Sequence, residues 1–383
     1  MKGKIAIFSL FFTMTIVLFA FFSPVYFSKA VYAKGEKLTS AKAMAVIEKD
    51  SGRLLFKDNE KEKLPMASTT KIITAIFVIE KNKNLDKVVK VSREAVGIEG
   101  TSIGLKEGEH LTIRELLYGL MLRSGNDCAV ALALETSGSL ISFVREVNEF
   151  LKEKGCFNTN LKNPHGLPDN DHYTTAEDLA IITAYALKND IFSEIVKTKE
   201  KKISNELNTK YNRDLKNKNK LLSTFDGADG VKTGFTKKAG RCFVGSATKN
   251  GMQLICVLLN CNPMFEECSA LLNKGFNEFK MYKLISKGDK LGEVRIEGAK
   301  TKSIDVCLNR DFIYPLKKSE INDIKIKVNC VEKLNAPVLE GKEAGEVEIS
   351  LEKQLIFSDK IYTIKGVKPN TLNSEFKRVI EKM

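Results

Sequence analysis

At Phe279 the chain changes its periodicity, and that change constrains the fold more than any other feature of the sequence. Residues 40 to about 280 mix helical and strand patterns. Segments 43–48 and 53–57 flank Asp50-Ser51-Gly52, the signal of a β-hairpin. Residues 71–80 (KIITAIFVIE) are too apolar to be amphipathic and predict a buried helix. Thr112-Ile-Arg-Glu115 has the form of a capping box that opens a helix ending near Arg123. Residues 126–136 predict another helix, and Thr174-Thr-Ala-Glu177 is expected to cap one running to Leu187. Segments 230–235, 241–248 and 252–260 then read as successive antiparallel strands, with Asn250-Gly251 as a hairpin turn. Past Phe279 only strand patterns remain, at 293–296, 303–308, 323–331, 346–351 and 360–365, separated by turn residues. The expected fold is an α/β (α+β) domain over 34–279, with an antiparallel sheet flanked by helices. An all-β, sandwich-like domain over 280–368 follows it.

A length of 383 residues accommodates two or three such domains. With 43% apolar and 28% charged residues, the chain is neither mostly disordered nor a multi-span membrane protein. Lys and Arg number 61 against 48 Asp and Glu, and the resulting +13 suits an anionic partner: nucleic acid, anionic membrane or anionic cell wall. The N-terminus narrows that choice. Met1-Lys-Gly-Lys4 precedes an apolar run over 5–22, Ser23-Pro24 breaks it, and Val31-Tyr32-Ala33 presents small residues where a signal peptidase cuts. Residues 1–33 are therefore expected to be a signal peptide cleaved after Ala33, with an uncleaved membrane anchor as the alternative. Either way the remainder lies outside the cytoplasm. Cleavage removes Lys2, Lys4 and Lys29 and no acids, leaving about +10. No nucleic-acid-binding signature accompanies this charge, so a nucleic-acid partner is set aside.

Eight cysteines in an exported chain could form four disulfides. However, Cys128, Cys242 and Cys256 sit inside apolar runs, as core thiols do. Cys256, Cys261 and Cys268 lack metal-site spacing, and the three histidines (His110, His165, His172) form no HExxH-type pair. A zinc hydrolase is therefore not expected.

The chemistry is carried by Ser68-Thr-Thr-Lys71, where Pro65 gives way to the buried helix. A spacing of three puts Ser68 and Lys71 on one helix face, so the amine can take the hydroxyl proton. Burial in an apolar setting lowers a lysine's pKa toward that of a neutral-pH base. Alone the pattern is weak, since it recurs at Ser246–Lys249, Ser350–Lys353 and Ser374–Lys377. Only Ser68 is followed by Ser124-Gly125-Asn126, in a short break between helices 56 residues on, and then by Lys232-Thr233-Gly234 on a strand 108 residues after that.

With these three motifs in this order, the chain resembles the penicillin-recognising serine acyltransferases. Within them it looks most like the low-molecular-mass penicillin-binding proteins, the D-alanyl-D-alanine carboxypeptidases. Glu99-Gly-Thr-Ser-Ile-Gly104, Asn163-Pro-His-Gly-Leu167, the segment 174–180 and Asp229-Gly-Val-Lys-Thr-Gly-Phe235 extend the likeness over nearly the whole chain. The resemblance implies a β-lactamase/transpeptidase-like catalytic domain. It implies Ser68 as acylated nucleophile, Lys71 as general base and Ser124 as proton relay to the leaving amine. It further implies Asn126 on the substrate backbone, Lys232 and Thr233 on the terminal carboxylate, Gly234 as a close-approach position, and the Phe235 N–H joining that of Ser68 as oxyanion hole. The implied reaction removes the terminal D-alanine of peptidoglycan stem pentapeptides, with β-lactams as covalent inhibitors and no metal or organic cofactor. His165 and His172 are expected to be structural, because a Ser/Lys site needs no imidazole base. Arg241 is a possible helper for the carboxylate.

Two rivals remain at this point. A β-lactamase of the same superfamily would carry Glu-x-x-Leu-Asn after the second motif, whereas this chain has Glu177-Asp-Leu-Ala180. A catalytically silent receptor would not need all three motifs intact. Finally, residues 369–383 are expected to form an amphipathic tail. Leu372, Phe376, Val379, Ile380 and Met383 fall on one helical face, suited to a membrane surface or to docking on the β domain.

Overall fold

The computed structural model describes residues 38–203 and 212–370. The expected signal peptide and most of the expected amphipathic tail lie outside the described residues.

The first part is built on one antiparallel sheet. Strands β1 (Ala43–Glu48) and β2 (Leu54–Asp58) form the expected hairpin. β3 (Val88–Lys90) pairs with β4 (His110–Thr112), and β5 (Glu200–Ile203) with β6 (Arg213–Lys216), as two small ribbons. β7 (Ala228–Thr236), β8 (Gly240–Lys249) and β9 (Met252–Leu259) complete the main sheet in the order β2-β1-β9-β8-β7. All six residues of β1 are buried, because the sheet is covered on both faces. Ala43, Ala45 and Ile47 join the larger core with Ile255 and Val257, while Met44 and Val46 join a second core with Leu254 and Cys256. The two-residue period of a strand makes this division.

Helix Thr70–Lys81 runs through the larger core with Thr70 to Ile79 all buried, as its uniformly apolar sequence requires. Helix Ile113–Leu122 opens with the expected capping box, in which Thr112 Oγ1 accepts from Glu115 N–H (3.1 Å) and Glu115 Oε2 accepts from Thr112 N–H (2.8 Å). Helix Asn126–Ser137 follows. The expected cap at Thr174 is displaced by one residue. Thr175 caps helix Ala176–Ala186 by accepting from Asp178 N–H (3.0 Å), since the Thr174 backbone is already bonded in both directions to Leu64. Helices Leu140–Glu153, Asp190–Lys197 and Met264–Glu278 exist beyond those expected, and the last covers the second core. All eight cysteines are unbridged, seven of them buried.

Among the described residues after Phe279 the regular elements are strands, apart from one 3-10 segment at Lys318–Asp323. The order β14-β16-β17-β12-β11-β15 makes a six-stranded sheet from Ile324–Cys330, Glu343–Leu351, Gln354–Thr363, Ser303–Cys307, Gly292–Glu297 and Lys333–Asn335. Lys280–Ile285 and Phe312–Leu316 (β10 and β13) pair separately and share its core. Three of these strands were not expected. The final one begins at Gln354 rather than 360, because Glu352 (φ 54°) turns the chain directly out of β16 into a hairpin.

Arg53, at the β1–β2 turn, fastens this part to the central sheet. Its guanidinium makes a two-pronged contact with Glu320 (2.6 and 3.0 Å), donates to Pro315 O, and lies 5.1 Å from the Phe279 ring centroid and 5.3 Å from that of Tyr314. Planar bidentate pairing and ring stacking both require arginine. Arg53→Ala is expected to lower the unfolding free energy by about 1.5–3 kcal/mol, the worth of hydrogen bonds to a charged group, while Arg53→Lys recovers only part of it. Denaturant melts of the three proteins check this, and an unchanged midpoint in Arg53→Ala would show that the contact holds nothing.

Candidate active site

A single 3-10 turn, Ala67–Thr69, leads into helix Thr70–Lys81. Ala67 sits at φ 47°, the left-handed region that a residue with a Cβ seldom adopts. The turn sets Ser68 and Lys71 on one face, with Lys71 Nζ 3.0 Å from Ser68 Oγ. Lys71 is completely buried. Its amine also lies 2.7 Å from Asn126 Oδ1 and 2.7 Å from the His165 carbonyl. Asn126 has no freedom to turn its amide, because Nδ2 donates to the Glu99 carbonyl (2.6 Å), which can only accept.

An ammonium could donate to all three oxygens, so it is burial that favours a neutral amine here. Asn126 Oδ1 and His165 O take two N–H bonds, which are all that an uncharged amine has. The lone pair is then directed at Ser68 Oγ. Burial, reinforced by the nearby charge of Lys232, holds the Lys71 pKa well below the ordinary lysine value. The arrangement is chemically that of a serine hydroxyl facing a base.

The His165 carbonyl is placed by a tight turn. Asn163 Oδ1 accepts from Gly166 N–H (2.7 Å), and Thr74 Oγ1 donates to Pro164 O (2.7 Å). Gly166 is at φ 90°, and a Cβ there would lie 1.9 Å from Ala67 O. Asn163-Pro-His-Gly166 therefore acts through its backbone, and the His165 ring is not the group that reaches Lys71. Burial moves His165 down to about 3 and His172 to about 4, so both rings are neutral.

Strand β7 forms the opposite wall. Gly234 packs so close to the Ser68 turn that a Cβ would stand 3.0 Å from Ser68 N. Ser68, Ser124, Thr233, Gly234 and Phe235 line one cleft of ≈ 240 Å³. Ser124, in the break between helices, is buried at φ 64°, a second non-glycine residue in the left-handed region beside the cleft. Lys232 lies buried behind Thr233, donating from Nζ to the Thr233 carbonyl (2.8 Å). Burial and the charge of Lys218 bring its pKa down to about 7. Phe235 stands exposed at the lip with the Arg241 guanidinium 5.8 Å from its ring centroid. Lys218 and Arg241 line the same cleft, so its mouth is cationic. The three motifs thus converge: five of the eight expected site residues line the cleft, and Lys71, Asn126 and Lys232 lie buried beneath it.

Other serines in Ser-x-x-Lys patterns have different settings. Ser246 is on strand β8 and donates to Asp229 (2.5 Å), while Ser350 and Lys353 straddle the β16–β17 turn. Cys128, two residues from Asn126, is fully buried against Gly119, where a Cβ would come within 2.6 Å of its Sγ. Burial and Asp127 push its thiol pKa well up, so it is a core thiol and not a second nucleophile. The Glu99 and His165 carbonyls and Lys218 were not foreseen as parts of the site. Side-chain motifs cannot mark a backbone acceptor, although Asn-Pro-His-Gly does mark the turn that presents one.

Comparison with known proteins gives the same answer. A profile of the D-alanyl-D-alanine carboxypeptidase family matches residues 30–262, and one of the penicillin-binding protein 5 C-terminal domain matches 279–369. The chain is 32% identical over 345 residues to the D-alanyl-D-alanine carboxypeptidase DacF of Bacillus subtilis, covering 88% of each. Penicillin-binding protein 5 of Haemophilus influenzae superposes with a TM-score of 0.74 at 27% identity, over 87% of this chain and 99% of that one. The Streptomyces K15 DD-transpeptidase superposes at 0.59 with 32% identity, over 62% of this chain and 98% of that one. With its motifs gathered in one cleft and its catalytic and C-terminal parts both matched, the chain belongs to the D-alanyl-D-alanine carboxypeptidase family of serine penicillin-recognising enzymes.

Proposed function

We propose that this chain removes the terminal D-alanine from peptidoglycan stem pentapeptides through an acyl-enzyme on Ser68. The observation that carries this reading is the buried Lys71 amine, 3.0 Å from Ser68 Oγ and 2.7 Å from both Asn126 Oδ1 and His165 O, which in its neutral form has a lone pair to offer Ser68.

Ser68 Oγ attacks the carbonyl carbon between the two D-alanines while its proton passes to Lys71 Nζ. Negative charge develops on the carbonyl oxygen, which the N–H groups of Ser68 and Phe235 receive. Collapse breaks the C–N bond, and Ser124 relays the proton from Lys71 to the departing amine. Water then adds to the Ser68 ester by the reverse route, releasing the shortened peptide and the free serine. Asn126, with Oδ1 on Lys71 and one Nδ2 hydrogen on Glu99 O, has its second amide hydrogen left to donate to the substrate's peptide backbone. Thr233 contacts the terminal carboxylate, with Lys232 behind it and Lys218 and Arg241 at the mouth supplying positive potential. A β-lactam amide opens by the same attack, so penicillin acylates Ser68. No step calls for a metal or organic cofactor. The export signal at 1–33 and the basic charge support action on the outer face of the cell membrane. The tail beyond Pro369 supports surface attachment there, as does the division at Phe279 into a catalytic part and a β-rich supporting part.

Penicillin treatment followed by peptide mass spectrometry is expected to place the adduct on the Ser68 peptide and to find none in Ser68→Ala. Lys71→Ala, which removes the base, is expected to slow acylation by about 10²–10⁴-fold. Release of D-alanine from a stem pentapeptide at the parent rate by either variant would overturn the assignment.

The lowered pKa of Lys232 has a consequence for stability. Between about 7 and the ordinary 10.5 the unfolded chain binds a proton that the folded chain lacks, so stability rises with pH across that window. Lys232→Met removes this dependence. Its gain in thermal midpoint over the parent is expected to be larger at pH 6 than at pH 10, together with weakened use of carboxylate-bearing substrates. Equal differences at the two pH values would mean that Lys232 carries no penalty for its burial.

A further inference from the structure

One buried chain of hydrogen bonds ends on the peptide unit that carries the nucleophile's N–H. Its first member is His172, 3% exposed. The Lys162 backbone N–H donates to His172 Nδ1 (3.0 Å), so Nδ1 is unprotonated and the ring proton of the neutral imidazole sits on Nε2. Nε2 lies 2.8 Å from the hydroxyl of the fully buried Thr70, to which it therefore donates. The Thr70 hydroxyl proton is then free for its other partner, the Ala67 carbonyl, at 2.7 Å. The series runs in one direction, and the Ala67 carbonyl also accepts from the Thr70 backbone N–H, so the hydroxyl is the second donor to it.

The Ala67 carbonyl and the Ser68 N–H belong to one planar trans peptide unit and point in opposite directions. Holding the carbonyl therefore aims the N–H. Three features show that the aim is constrained. Ala67 is kept at φ 47°, against the preference of a residue with a Cβ. A Cβ on Gly166 would fall 1.9 Å from Ala67 O, so only glycine leaves room for the carbonyl. On the other side, a Cβ on Gly234 would stand 3.0 Å from Ser68 N, which lets β7 close over the N–H.

We propose that His172 and Thr70 are positioning residues for the oxyanion hole. Through the Ala67 carbonyl they orient and polarise the Ser68 N–H that receives charge in the transition state. Polarisation adds to orientation, because a hydrogen bond accepted by an amide carbonyl strengthens donation by the N–H of the same amide. Neither residue touches the substrate. The assignment rests on the reading of Ser68 as nucleophile and of its N–H as an oxyanion donor. It gives His172 a part in the reaction that does not involve proton transfer to the substrate.

The test uses the full chain and stopped-flow acylation by a fluorescent penicillin, separating the acylation rate k2 from the prior binding constant K. Penicillin labelling of Ser68 in the parent protein checks the underlying reading by itself. Thr70→Val keeps the shape of the side chain and deletes the hydroxyl. Removing an oxyanion donor outright costs about 10²–10³-fold, so a donor left in place but misaligned is expected to lower k2 by about 10- to 100-fold with K unchanged. Thr70→Ser is expected to restore most of k2. His172→Phe is expected to lower k2 to a similar degree, and the double variant to be no slower than the slower single one, since both break the same chain. If His172→Phe does not fold, the Thr70→Val and Thr70→Ser pair decides. A k2 within twofold of the parent in Thr70→Val, a loss confined to K, absence of rescue by serine, or multiplying losses in the double variant would each overturn the proposal while leaving Ser68 as nucleophile.

Discussion

The complete burial of the Lys71 amine is the constraint on which the rest of this molecule depends. An isolated ammonium in a protein interior is costly, and a lysine so placed meets that cost by giving up its proton. What the fold supplies is a pair of acceptors for the two N–H bonds that the neutral form keeps. One is Asn126 Oδ1, held in orientation by the Glu99 carbonyl, and the other is the His165 carbonyl. These come from separate segments, the helix start after Ser124-Gly125 and the Asn163–Gly166 turn, and both must close on helix Thr70–Lys81. The apolar sequence of that helix thus does two jobs. It fills the larger core, and it carries Lys71 out of reach of water.

The same economy explains the glycines. Gly166 and Gly234 flank the Ala67–Ser68 peptide unit, one against its carbonyl and one against its N–H. Side chains at either position would force the Ser68 turn out of its left-handed start. Two further cations, Lys232 behind β7 and Lys218 at the cleft, repel the Lys71 ammonium directly or through one another. Their shared potential favours a neutral Lys71 and an anionic ligand in the cleft. On the proposed mechanism, attraction for a terminal carboxylate and activation of Lys71 would arise from one set of charges.

Much of this was legible in the sequence, for definable reasons. Buried strands and the all-apolar helix announce themselves by composition, so β1, β7–β9 and helix Thr70–Lys81 fall within one or two residues of where their patterns put them. The capping box at Thr112 was readable because it is local. The cap at Thr174 was misplaced by one residue because the pairing of Thr174 with Leu64, more than a hundred positions away, decides it. Likewise β10, β13 and β15 depend on partners and a shared core that no local window contains. At the site, Ser68, Lys71, Ser124, Asn126 and β7 were marked by their motifs. The carbonyls of Glu99 and His165 and the His172–Thr70–Ala67 chain were not, since a backbone acceptor leaves no residue-type signature.

Whether Lys71 is uncharged in the resting enzyme can be measured directly. In protein labelled with 13C and 15N at lysine, the Cε and Nζ resonances of Lys71, assigned by their loss in Lys71→Ala, report its titration. These resonances are expected to titrate well below the ordinary 10.5, with the neutral amine present at the pH where penicillin acylates Ser68. A Lys71 that stays an ammonium throughout that range, titrating like a surface lysine, would contradict that expectation.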